Sequence, residues 1–476
     1  MLEGGRELSP DVVAFLDRLS DHLGGCVHFP GSPDYSSSLG RVFFPEASRR
    51  HPPGVVTPRT VADVQTILRL ASDSGARITV RGGGLSSNCV ADDAVMVDLS
   101  VHMATAHCDG DSVTVAGGAT VGAMLAAAPP GRVVPVGIVG LAGIGLLTRG
   151  GVGYLSRSAG LALDHLVQVE MVLPSGELVV LSEESAGEQA DLWWAVRGCA
   201  PGFGIVTSAV VRTREQGPVF VDRLVVGLDA LAEYFLVAPT MPRDTTMGAV
   251  LGYVPDSTDG PVLFVYTACS SQDELTISGA RDATTAVAAA SESPATFRSE
   301  MRGRYLDDLP QMAIPGAEGE EPQPIPAAEP GGEKGWFYGK AVFTGPTLGA
   351  DVADGLAEMI RRAPTHGCRI DFQQVGGAVG DVAKSGTAFW NRDAEWNIPL
   401  NAIWSDPSDD DACRTWARDT LHLLAGDTIG VYSVEVRPGF RETEAELQRA
   451  FGDNLPRLRS LRQRCDPHGV LAAYPL

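Results

Sequence analysis

The sequence predicts an α+β fold in two parts, and three observations carry that expectation. Residues 54–211 alternate short apolar strands with helix-forming stretches. The same region is interrupted by three glycine-dense segments, at 81–88, 135–161 and 197–206. From about residue 216 longer strand-like runs alternate with helices, the pattern of one large antiparallel sheet covered by helices. At 476 residues the chain is longer than a single core usually supports. The expected organisation is a first domain over 1–215 with its core at about 50–215, a second over 216–430, and a C-terminal segment, 431–476, that returns to the first.

In the first domain, residues 54–69 read as a short strand, a Pro-Arg-Thr turn and a helix capped by Thr60 with apolar residues at helical spacing. Ala76–Val80 is a strand that runs straight into Arg81-Gly82-Gly83-Gly84. Val95–Leu99 and Ser112–Val115 are further strands, Thr120–Ala127 is a short helix, and 165–182 form a hairpin around Pro174-Ser175-Gly176. In the second domain, strands are expected at Val219–Val226, Val262–Thr267, Trp336–Val342 and Ile370–Val375, with helices at 228–235, 273–290, 349–362 and 409–424. Residues 314–335, rich in Pro, Gly and Glu, read as a mobile loop or lid. The chain closes with a helix at Glu442–Arg449, a second helical turn and the turn Asp466-Pro467-His468-Gly469.

Composition narrows the function classes. With 37 basic and 59 acidic residues the net charge is −22, which argues against nucleic acid and anionic membrane partners. No run approaches 18 apolar residues, and the first 25 residues lack a basic stretch followed by an apolar core, so neither a membrane span nor a secretory signal is expected. Eight scattered cysteines without a CxxC pair read as reduced thiols of a cytoplasmic protein. The nine histidines show no metal-ligand spacing, so no metal is expected.

The glycine segments carry the chemistry. Arg81–Asn88 (RGGGLSSN) follows a strand, and consecutive glycines let their N–H groups form a nest for a pyrophosphate, with Ser86, Ser87 and Asn88 as further donors. Pro135–Leu161 holds eight glycines yet is largely apolar, which suits a buried surface against a flat ring system. Arg197–Val206 closes on a strand. None is a GxGxxG between strand and helix with a following acidic residue, so a Rossmann-type dinucleotide site is poorly supported.

In order and spacing these segments resemble the FAD-linked oxidase family that includes vanillyl-alcohol oxidase and the berberine bridge enzyme. The resemblance rests on Pro52–Val64, Val80–Gly84, Gly150–Asp164 and Trp194–Thr207, and over the C-terminal half on Gly376-Gly377-Ala378, Thr387-Ala388-Phe389 with Arg392, and Gly452–Val470. The last three are similar to the berberine-bridge branch in particular. It implies a two-part FAD-binding domain of vanillyl-alcohol-oxidase type, with a substrate domain built on the large sheet. The cofactor contacts it implies are Arg81, Gly82, Gly83, Gly84, Leu85 and Ser86 in the first segment. In the second they are Val139, Gly143, Gly145, Arg149, Gly150, Gly151, Gly153, Tyr154, Gly160 and Leu161, with His165 just beyond. Gly204 and Ile205 complete the set from the third.

The chain also departs from that family. Many berberine-bridge-type enzymes attach FAD through a histidine and a cysteine. The histidine position here is Leu85, and no cysteine lies between Cys108 and Cys199, around Ile138 or Val139 where the second link belongs. Non-covalent FAD is therefore expected. Arg149 replaces a ring-lining glycine and offers a cation for the flavin's N1–C2=O edge. The family's base lies in a Y-x-N-Y or Y-x-N-E segment, here Tyr432-Ser433-Val434-Glu435, which makes Glu435 the first candidate for general base. Read as an alternating strand, that segment puts Tyr432 on the opposite face from Glu435. A second family base corresponds to Asn397, which cannot act as one; Asn397 and Asn401 share a face and suit hydrogen bonding to substrate. In RIDFQQV, Asp371 and Gln373 share one face and Phe372 and Gln374 the other, and the sequence leaves open which looks at the flavin.

The leading functional expectation is an FAD-dependent oxidoreductase on a small organic, secondary-metabolite substrate, with molecular oxygen as electron acceptor. The alternatives are a redox-neutral cyclisation or rearrangement on the same flavoprotein scaffold, and a non-catalytic binding protein.

Overall fold

The computed structural model describes residues 9–305, 309–316, 335–472 and 474–476. The greater part of the 314–335 segment, 317–334, thus lies outside the described residues. The chain is α+β, and its sheets divide along the sequence. A four-stranded sheet orders Val27–His28, Val55–Val56, Val95–Asp98 and Ile78–Arg81, with parallel pairing among the last three. A five-stranded antiparallel sheet orders Ala106–Asp109, Ser112–Ala116, Ile205–Arg212, Leu166–Val172 and Leu178–Ser182. The hairpin expected at 165–182 is its outer pair.

Local chemistry explains these elements. The helix Val61–Ser74 starts at a full capping box: the Thr60 hydroxyl accepts from Asp63 N–H, and Asp63 accepts from Thr60 N–H. It ends at Gly75, which turns the chain with φ +66°. Val64, Ile67, Leu68 and Ala71 face inward and pack with Val56, Ile78 and Val97. Against that core also lies a helix the sequence reading passed over, Pro10–Leu23, capped by Ser9 and burying Phe15, Leu16 and Leu19.

Residues 219–431 build one eight-stranded antiparallel sheet. Its order is Phe297–Gly303, Val219–Val226, Val262–Cys269, Thr245–Gly252, Arg369–Gln374, Trp396–Trp404, Trp336–Thr344 and Thr428–Val431. The helices Glu274–Ala290, Ala350–Arg361 and Asp410–Leu423 each bury an apolar face in the surrounding core. Two of the strands that the sequence reading passed over escaped it for opposite reasons. Thr245–Gly252 is buried along its whole length and so shows no alternation. Phe297–Gly303 is an edge strand whose Arg298, Glu300 and Arg302 read as solvated loop. Among the described residues no helix is long and apolar enough to cross a membrane.

Candidate functional site

A cavity of about 740 Å³ separates the glycine segments from the uncovered face of the large sheet. Its glycine wall exists because two backbones meet there. A Cβ on Gly83 would lie 2.6 Å from Gly143 N and would also strike Leu141 O, so only glycine allows 82–84 and 141–145 to touch. Gly82, Gly83, Gly84, Leu85 and Ser86 line the cavity, as do Val139, Gly143, Gly145, Arg149, Tyr154, Gly204 and Ile205. The Ser86 hydroxyl accepts from Asn88 N–H, which leaves its own proton to donate, whereas the Ser87 hydroxyl already donates to Glu46.

Other residues expected at the cofactor stand behind this wall. Arg81 is buried and bonded to Asp98 (2.8 Å), Ser100 (2.6 Å) and Arg41 O (3.1 Å). Its guanidinium fills the space a Cβ on Gly84 would need, 2.6 Å away, so Arg81 props the loop from below. Gly150, Gly151, Gly153, Gly160 and Leu161 are likewise absent from the cavity surface. Gly150, at φ +146°, makes room for the Tyr432 ring, and Gly151 N–H donates to the Tyr432 hydroxyl at 3.1 Å. His165, expected to pack beside the cofactor, does not line the cavity. Its Nε2 bonds Ala159 O at 2.8 Å away from the cavity, and burial pushes its pKa down.

The opposite wall settles which sheet face points inward. Asp371, Gln373, Asn397 and Asn401 all line the cavity. On the other face Gln374 is tied to Met247 N, Ala238 O and Glu395, and Phe372 packs with Tyr234, Phe235 and Trp396. Asn397 Nδ2 donates to Gln373 Oε1 at 2.6 Å, and Asn401 Nδ2 donates to Asp371. Burial raises the Asp371 carboxyl above its ordinary range, against the lowering pull of Arg369 (3.4 Å) and Asn401. Asp371 is the site carboxylate the sequence left undecided; alternation placed it on a face but not on which side of the sheet.

The strand expectation for 432–436 is also corrected. The ladder stops after Tyr432 N–H donates to Ala341 O, and Ser433–Glu435 then winds into a 3₁₀ turn closed by Glu435 N–H on Tyr432 O (3.1 Å). Residues three apart eclipse in such a turn, so Tyr432 and Glu435 both reach the cavity instead of parting to opposite faces. The Glu435 carboxylate lies 3.2 Å from where a Cβ on Gly339 would sit, and Gly339 pairs with Asn401 across the sheet. Burial pushes the Tyr432 hydroxyl up to about 12, opposed by the N–H groups of Val152 and Gly151. Arg149 is half-buried, holds Gly145 O through Nε (2.8 Å) and approaches the Tyr474 ring, so the C-terminal segment closes one end of the cavity.

These walls fit an FAD. Bare glycine backbone and the Ser86 hydroxyl suit a pyrophosphate. The apolar surfaces of Ile138, Val139, Ala142, Ile205 and Leu471 suit a flat ring. Residues 52–182 match the family described as FAD binding domain. The chain is 36% identical to the FAD-linked oxidoreductase penO of Penicillium crustosum over 192 residues, 38% of this chain and 41% of that one. Thus less than half of penO is matched. The FAD-linked oxidoreductase YgaK of Bacillus subtilis strain 168 is 25% identical over 465 residues, covering 94% of this chain and 95% of that one. Among solved structures, BBE-like 1 of Physcomitrella patens superposes with a TM-score of 0.81 at 20% identity, covering 97% and 99% of the two chains. A xylooligosaccharide oxidase from Myceliophthora thermophila C1, solved with xylobiose, gives 0.77 at 21% identity, covering 97% and 98%. The chain thus carries an FAD-binding domain, matched in sequence over 52–182, and shares the fold of the BBE-like structures along nearly its whole length.

Proposed function

We propose that this protein is an FAD-dependent oxidoreductase that oxidises a small organic molecule and holds its flavin without a covalent bond. The observation that carries the reading is the cavity itself, with a glycine backbone wall on one side and, across it, a strip of Asp371, Gln373, Asn397 and Asn401. FAD in that space supplies a two-electron acceptor for a hydride from a substrate carbon. The relatives' names, oxidoreductase, oxidase and dehydrogenase, support the same class.

The non-covalent attachment rests on side chains. Leu85, Ile138 and Val139 all line the cavity, and none has a nucleophilic atom to form the link. Acid precipitation of the purified protein is expected to leave the yellow colour in the supernatant; colour in the pellet overturns that part of the reading. Anaerobic mixing with substrate is expected to bleach the flavin. Product formed without bleaching points instead to redox-neutral chemistry on the same scaffold.

Glu435 takes the role of general base. It shares the cavity with Tyr432, whose hydroxyl pins Gly151, and Asn397 lines the same cavity from the sheet. Glu435→Gln is expected to slow flavin reduction by about 10²-fold or more while flavin content stays unchanged, the usual effect of losing a positioned base. An unchanged reduction rate removes the assignment. Molecular oxygen as the final acceptor is checked with an oxygen electrode during turnover. The eight cysteines, all unpaired, support a reducing, cytoplasmic setting.

A further inference from the structure

The sheet wall carries one acceptor that the fold leaves unmatched and a second that it satisfies only in part. Asn397 is 1% exposed, and its Nδ2 is used on Gln373, but its Oδ1 is buried without a hydrogen-bond partner. A buried carbonyl oxygen left this way is destabilising unless a ligand donates to it. The second acceptor is the Asp371 carboxylate, fixed by Asn401 on the neighbouring strand and by Arg369 on its own. Tyr154, from the glycine-rich half of the chain, and Tyr266, on the Val262–Cys269 strand, line the same cavity. Asn401 and Arg369 hold the carboxylate in place but do not saturate its lone pairs.

The register fixes the spacing. Gln373 pairs with Asn397 and Arg369 with Asn401, so Asp371 stands opposite Pro399 with an asparagine on each diagonal. Asn401 takes one diagonal and bonds the carboxylate. The other leads to Asn397, which carries the unmatched oxygen and whose backbone position is one diagonal step of about 7 Å away. Tyr154 and Tyr266 stand edge to face beside this strip, with ring centroids 5.4 Å apart, and Val250 and Ile403 add apolar surface.

We propose that Asp371 and Asn397 Oδ1 form a two-point acceptor site that selects substrates carrying two hydrogen-bond donors, hydroxyl or amino, at opposite ends of a compact, largely apolar frame. This deepens the oxidoreductase reading and rests on it for the word substrate, but the binding itself needs no turnover. The site acts by anchoring: each acceptor takes one donor, which fixes the molecule along the diagonal between the two strands.

The test is calorimetric titration of the FAD-loaded protein with two probes, 1,4-benzenedimethanol, which has donors at both ends of one ring, and 4-methylbenzyl alcohol, which has one. The wild type is expected to favour the two-donor probe about tenfold, the scale of one hydrogen bond to an otherwise unmatched buried group. Asp371→Leu and Asn397→Leu are each expected to bring the ratio of the two affinities close to one. A variant that merely disturbs packing weakens both probes together and leaves the ratio in place. Equal affinities in the wild type, no binding of the two-donor probe, or a ratio unchanged in both variants overturns the proposal. Absence of flavin bleaching with any oxidisable substrate overturns the oxidoreductase reading alone, because the titration does not involve the reaction.

Discussion

Gly83→Val is expected to abolish FAD retention, read as loss of the flavin absorbance that co-elutes with the protein on gel filtration. The reason is steric and admits little relief. The atoms that a Gly83 side chain would meet are backbone, Leu141 O and Gly143 N, and Gly143 in turn has its own Cβ direction aimed at Gly83 N. No rotamer change removes such a contact; one segment has to retreat, and both form the cavity wall. Forced overpacking of this kind destabilises by about 1–3 kcal/mol, so the variant should still fold while losing the wall's shape. A folded, fully yellow Gly83→Val protein would show that this wall does not hold the cofactor. Gly110→Ala is the matched control, since its Cβ would meet nothing within 4 Å. Its φ of +62° predicts only a mild loss of stability with flavin retained.

The second large effect is structural. Arg392 is 2% exposed and grips Asp164 with two parallel bonds of 2.7 and 2.8 Å, while Thr387 accepts a third at 2.8 Å. Arg392→Leu leaves the Asp164 carboxylate without this partner, and breaking a buried pair from one side destabilises by about 3–5 kcal/mol. The expected result is a clear fall in the denaturant midpoint, followed in parallel by circular dichroism and flavin fluorescence. Thr387→Val, which removes a single neutral acceptor, should cost about 1 kcal/mol. Equal midpoints for Arg392→Leu and wild type would mean that the pair contributes nothing. The location gives the pair its interest: Asp164 lies just beyond the second glycine segment and Arg392 lies 228 residues later, before the Trp396–Trp404 strand. Nearby, Ala388 N–H donates to Trp194 O and Phe389 N–H to Arg197 O, so three segments of the resemblance meet at one point.

That convergence marks where reading the chain stopped. Local signals were legible because their causes are local. The Thr60 capping box, the Pro174-Ser175-Gly176 hairpin and the strand-to-glycine junction at Arg81 depend on residues within a few positions of one another. The glycines at 82–84 and 143 likewise announced a close backbone approach, although not that they approach each other. Arg81 and His165 looked like cofactor ligands because they flank those glycines, yet their side chains are turned to Asp98 and Ala159 O by neighbours the spacing does not reveal.

By itself the sequence determined the α+β class and the glycine-rich, FAD-binding part of the chain, since each follows from residue identity and short-range order. Only the tertiary structure decided which face of RIDFQQV looks inward. Alternation fixes that Asp371 and Gln373 share a side, but long-range packing of Phe372 against Tyr234 and Trp396 decides which side it is. The same holds for Tyr432 and Glu435. The strand period would have separated them, and it ended because the hydrogen-bond ladder ran out at Ala341, a partner 91 positions away in the chain.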